Sequence, residues 1–188
     1  DPIAPTLGCG IAELERAAAV LLVGSDIRRE VPIIAHRIRK GAVHGGTKVA
    51  SISVKPLDVR FPTVANLGSN GYGMAQHLAA VLSAALRAAG RPVPAPLTTA
   101  LEGIVPTAEH ERIASVLADG DLRLIVLGAL AERHVAFSEL RAIAVALADA
   151  TGARLGYLPE SGNAVGASLA GATPHRGVGG RTVASPGL

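Results

Sequence analysis

The sequence predicts an α/β fold, an open parallel sheet with helices on both faces, from three observations. The run Ala19-Val20-Leu21-Leu22-Val23 is apolar, has strand length and stops at Gly24. Such a run suits a strand covered on both faces, as in a parallel sheet. A polar loop, Ser25-Asp26-Ile27-Arg28-Arg29-Glu30, follows it, and Val31-Pro32 opens a helical pattern. Pro32 fits a first helical turn, where its missing N–H is not needed. The unit then returns at one constant offset. Leu124-Ile125-Val126-Leu127-Gly128 repeats the run, with Gly128 on Gly24, Arg133 on Arg29 and Val135 on Val31. The strands that finish each unit coincide too, residues 49–54 against 153–158. Two βαβ passes argue for one parallel sheet with helices on either side.

Taken in order, residues 1–10 carry Pro2, Pro5, Gly8 and Gly10 and read as a flexible arm. A short helix over residues 11–19 leads into the first strand. The helix from Val31 to about Ala42 presents Val31, Ile34, Ala35, Ile38 and Ala42 on one face, and Gly45-Gly46 ends it. A strand over 48–54 follows, then a long loop from Lys55 to Gly73. Met74 to Ala89 is the clearest helix, its stripe being Met74, Leu78, Val81, Leu82, Ala85 and Ala89, with Gly90 at C′. Arg91 to Pro96 reads as a stiff spacer. Thr107 suits the N-cap of a helix running to Asp119, with Glu109 and Glu111 in its first turn. A helix over 137–151 ends at Gly152. Residues 11–176 make one domain by this reading, and 177–188 a flexible tail.

Composition excludes several classes. At 188 residues the chain can bury one sizeable core, and 49% of it is hydrophobic, but it has only two Phe, two Tyr and no Trp. Its net charge of +3 comes from scattered basic residues, apart from His36-Arg37-Arg39-Lys40 in a last helical turn. With so few rings to stack on bases, nucleic-acid binding is not expected. No apolar run approaches the roughly 20 residues that span a bilayer, so direct membrane insertion is not expected either. The chain opens at Asp1-Pro2 without an initiator Met and reads as a piece of a longer protein. Cys9 is the only cysteine, too few for a thiolate zinc or iron–sulfur site. The six histidines show no His-x-x-x-His or Glu-x-x-His spacing and read as surface residues, so no metal site is expected.

The loops after Gly24 and Gly128 place turn residues and a helix N-terminus at the carboxyl edge of the sheet, a setting suited to phosphate. Neither follows Gly-x-Gly-x-x-Gly or Gly-x4-Gly-Lys-Ser/Thr. Arg28-Arg29-Glu30 reads as an exposed cluster paired within itself. Ser161-Gly162-Asn163 is not a nucleophile elbow, and no catalytic residue emerges.

Glu160-Ser161-Gly162-Asn163-Ala164-Val165-Gly166-Ala167 and Leu169-Ala170-Gly171-Ala172-Thr173-Pro174-His175-Arg176 resemble a segment of the large iron–sulfur subunit, the G subunit, of bacterial NADH-quinone oxidoreductase (respiratory complex I). Leu127 to His134 and Leu22 to Glu30 are similar to the same subunit at matching separations. That subunit is of the molybdopterin oxidoreductase type, so the resemblance implies a Rossmann-like domain. In catalytic relatives, loops like the one after Gly24 hold a guanine dinucleotide form of the cofactor, often on Asn-Pro. Here Asp26-Ile27 stands at that place, and its carboxylate would repel a diphosphate. Gly24, Ser25, Asp26, Glu30, Gly128 and Asn163 are therefore expected to form a vestigial cofactor site at most.

The resemblance implies a scaffold and contact domain without a cofactor of its own, inactive when isolated. Iron–sulfur clusters would lie elsewhere in the intact subunit, which passes electrons from NADH to quinone. Its partners would be other parts of that subunit and other peripheral-arm subunits, on the cytoplasmic side of the bacterial inner membrane. The alternative is a molybdopterin guanine dinucleotide-binding domain of a molybdenum enzyme such as a formate dehydrogenase or nitrate reductase. A free-standing nucleotide-binding module is a third reading.

Overall fold

The computed structural model describes residues 4–70, 72–160, 162–173 and 176–183. Five strands form one sheet in the order β3-β2-β1-β4-β5, and every neighbouring pair is parallel. They are β1 (Ala19–Val23), β2 (Lys48–Ser53), β3 (Ala65–Gly68), β4 (Arg123–Leu127) and β5 (Arg154–Tyr157). Val23 pairs with Ile52 on one side and Leu127 on the other, so the carboxyl ends of the central strands lie level. Chain order reverses between β1 and β4, which places the topological switch point at the ends of these two strands.

The four strands expected from the apolar runs are all present, and β3 is additional. It falls inside the stretch read as a loop. Ala65-Asn66-Leu67-Gly68 has too few apolar residues to announce a strand, and it forms because Val64 N–H donates to the Val49 carbonyl and the chain then runs on beside β2.

Successive side chains of a strand point to opposite faces, and both faces of this sheet are covered. Leu21, Val23, Ala50, Ile52, Ile125 and Leu127 pack against the longer helices α3 (Gly73–Ala88), α5 (Ala108–Leu117) and α7 (Phe137–Thr151). Val20, Leu22, Val49, Leu124 and Val126 pack on the other face against Leu14 of a 3-10 turn (Ile11–Arg16) and Ala35 and Ile38 of α2 (Pro32–Lys40). Glu15 of that turn ion-pairs with Arg37 and, at 2.7 Å, with Lys40. The hydrogen bonds from Lys40 and Arg37 hold the Glu15 carboxyl down to about 2. Two cations of the basic cluster thus tie α2 to the turn before β1.

Short helices complete the chain: α1 (Ile27–Glu30), α4 (Thr98–Leu101), α6 (Ala129–Glu132) and α8 (Ala164–Leu169). The stretch read as a stiff spacer, Arg91 to Pro96, has its last two residues in a 3-10 turn (Ala95–Leu97) that runs into α4. A π-helical turn (Gly41–Gly45) extends α2. Residues 4–10 run beside β5, where Tyr157 N–H donates to the Thr6 carbonyl at 2.8 Å. Residues 178–180 form a 3-10 turn. Ser161, Pro174 and His175 lie outside the described residues, as do 1–3 and 184–188. Among the described residues no helix is long and apolar enough to cross a membrane.

Candidate functional site

The carboxyl ends of β1 and β4 bring Gly24, Ser25, Asp26, Glu30 and Gly128 together. Gly24 is left-handed (φ +60°), and a Cβ there would collide with the backbone nitrogen of Ala131. A Cβ on Gly128 would collide with the Ser25 side chain and stand 2.8 Å from the Gly24 oxygen. Both glycines are needed because two chain segments meet here with no room for a side chain. The Gly24 carbonyl accepts from Leu130 N–H at 2.9 Å and from Ala131 N–H at 3.2 Å. Two amides that open α6 are thereby used inside the protein.

The loop after β1 closes in the same way. Glu30, at the end of the single-turn helix α1, folds back so that its carboxylate accepts from the Ser25 hydroxyl and from Asp26 N–H, each at 2.8 Å. Ser25 is buried. A phosphate entering this loop would seek these same two donors, and Glu30 already supplies the oxygens that satisfy them. The one-turn helices α1 and α6 lie within the two loops, and the longer α2 and α7 open after them at Pro32 and Phe137, close to where the sequence predicts.

Arg28-Arg29-Glu30 is not paired within itself. Arg28 reaches Asp58, donating to its carbonyl at 2.7 Å and its carboxylate at 2.9 Å, and Arg29 lies 3.6 Å from the Asp26 carboxylate. Arg133 pairs with Glu160 at 2.6 Å. Burial pushes the Glu132 carboxyl above its ordinary value, and Glu160 and Glu30 add to this. Carboxylates and arginines are thus interleaved at the switch point. Asn163 is exposed just before α8, with its side chain folded toward Gly166.

A cleft of about 640 Å³ opens beside the loop, toward β2, and includes Arg28, Arg29, Glu30, Lys55 and Leu130 in its walls. Asn66 of β3 fixes its far wall, a role the sequence did not announce. Its amide donates to the Leu57 carbonyl at 2.9 Å and accepts from Leu57 N–H at 2.8 Å, while the Ser51 hydroxyl binds the same oxygen at 2.6 Å. Among the described residues there is no cluster of His, Cys, Asp and Glu that could hold a metal ion.

One histidine departs from the surface reading. His110 is buried, and its Nδ1 accepts from Thr107 N–H at 2.9 Å. That leaves the proton on Nε2, which faces His77 Nδ1 at 2.9 Å across the α3–α5 contact.

The family model described as molybdopterin oxidoreductase matches residues 4–178, from the segment beside β5 to the residues beyond α8.

Proposed function

The chain belongs to the molybdopterin oxidoreductase family, and on that premise we propose that it serves as a scaffold and contact domain, as in the G subunit of NADH-quinone oxidoreductase. The observation that carries this reading is the Glu30 carboxylate on Ser25 Oγ and Asp26 N–H. The residues of the loop do not fit a diphosphate: its donors are taken by Glu30, whose carboxylate would repel one. No redox step is assigned to this chain, and the clusters of the intact subunit would lie on other segments. The partners would be the rest of that subunit and its peripheral-arm neighbours, on the cytoplasmic side of the inner membrane.

The cleft beside Arg28, Arg29 and Lys55 favours one other reading, a guanine dinucleotide-binding domain of a molybdenum enzyme. Binding there through the loop would require Glu30 to leave its two donors. Calorimetric titration with guanine and adenine nucleotides at low salt separates the two, because low salt favours any electrostatic binding. The scaffold reading expects no saturable binding by the native chain. A low-micromolar dissociation constant that Arg29→Ala abolishes would establish the cofactor-domain reading instead.

A further inference from the structure

A second cleft lies along α2, on the face of the sheet opposite α3, α5 and α7. It encloses about 380 Å³ and is lined by Arg28, Pro32, Ala35, His36, Arg39, Arg60 and Phe61. No carboxylate is among these residues. A neighbouring hollow of about 330 Å³ shares His36 and Arg39 and continues past Lys40 to His44. The cations around it are unequally compensated: Arg37 and Lys40 share Glu15, and Arg28 is held by Asp58. Arg39 and Arg60 are exposed and have no hydrogen-bond or ion-pair partner among the described residues.

The position of Arg39 in the last turn of α2 offsets the helix macrodipole. That account does not extend to Arg60, which comes from the segment between β2 and β3 and lines the same cleft. Two guanidinium groups on different elements, unneutralised and facing one hollow, present the planar donor forks that suit phosphate oxygens. Between them the wall is apolar: Phe61 packs on the core beneath the sheet, and Pro32 and Ala35 complete the surface. A bare phosphate would leave this apolar surface uncovered.

We propose that the cleft between α2 and Arg60 binds an organic phosphate, a phosphate group carried on an apolar or ring-bearing moiety. Arg28 of the loop after β1 borders both clefts, but Arg39 and Arg60 lie outside that loop, and the proposal stands whether or not the scaffold reading does. The guanidinium groups of Arg39 and Arg60 take the phosphate, and Phe61 takes the moiety that carries it.

Calorimetric titration of the whole chain at low salt with phenyl phosphate, inorganic phosphate and a hexaglutamate peptide tests the proposal. Cosedimentation with phosphatidylglycerol vesicles, against phosphatidylcholine alone, separates a lipid headgroup from a soluble phosphate. Phenyl phosphate is expected to bind more tightly than inorganic phosphate or the peptide. Arg39→Ala and Arg60→Ala should each weaken it roughly tenfold, and Arg29→Ala should leave it unchanged. Both arginines are exposed, so their replacement leaves the core intact. Vesicle binding lost in the same two variants would assign the phosphate to a lipid, and its absence beside phenyl phosphate binding would assign it to a soluble ligand. The proposal is overturned if phenyl phosphate does not bind, if hexaglutamate binds equally well, or if Arg29→Ala abolishes the binding while Arg39→Ala and Arg60→Ala do not.

Discussion

At the scale of single residues, the switch point is governed by what lacks a side chain and by one that turns inward. Gly24→Ala places a Cβ against the Ala131 backbone at a left-handed position, and Gly128→Ala drives one into Ser25. Neither neighbour is the free end of a flexible side chain, so the backbone itself must shift. Each substitution should destabilise the protein by roughly 1–3 kcal/mol, read as a lower urea midpoint with an unchanged slope. An undiminished midpoint in either variant would mean that the two loops do not touch. The glycines were legible in the sequence because both close an apolar run. The part played by Glu30 was not, since a carboxylate that satisfies its own loop looks in sequence like any solvated charge. The sequence reading gave the repelling role to Asp26, whereas the side chain of Asp26 stands near Arg29.

Between elements, the contact that responds to pH is the histidine pair joining α3 to α5. Thr107 N–H points at His110 Nδ1, and the Nε2 proton of His110 points at His77 Nδ1. A further proton on either ring has to displace one of these bonds. Burial lowers both histidines below their ordinary value, His77 adds to the lowering at His110, and Glu109 opposes it at both. The unfolded chain therefore takes up protons first as pH falls. The stability from this pair is complete above the ordinary histidine value of about 6.5 and declines as pH drops below it toward the lowered folded values. Melting temperature should fall between about pH 7 and 5, and the fall should be shallower in His77→Gln. An identical pH profile in that variant would remove the pair as its source. The helices themselves were legible from their stripes. Their joint was not, because residues 77 and 110 meet only once α3 and α5 pack against the sheet.

For the whole molecule, stability rests on strands covered from both sides. Val23 is fully buried at the centre of the sheet, between Ile52 and Leu127. Burying such a side chain stabilises by roughly 1.5–3 kcal/mol, and an aspartate there adds the larger cost of an unpaired buried charge. Val23→Asp should abolish the cooperative thermal transition, and a soluble variant that still melts cooperatively would count against a doubly covered sheet. The central strands were legible because burial on both faces leaves unbroken apolar runs. The edge strand β3 was not, because an edge needs few apolar residues and here uses Asn66 to hold a loop. The residues that secure the edge are polar, and in sequence they resemble any turn.

The meeting of the two loops bears on how this edge exchanges with solvent. Gly128 N–H donates to the Val23 carbonyl and Leu130 N–H to the Gly24 carbonyl, both at 2.9 Å. Amides just past a strand end ordinarily exchange with deuterium quickly, through small local openings. These two are released only when β1 and β4 separate at their ends. Their protection factors should approach those of Leu22 and Val126 and exceed that of Val54, which follows β2 and is half exposed. Fast exchange at Leu130 would show instead that the two loops part independently of the strands that carry them.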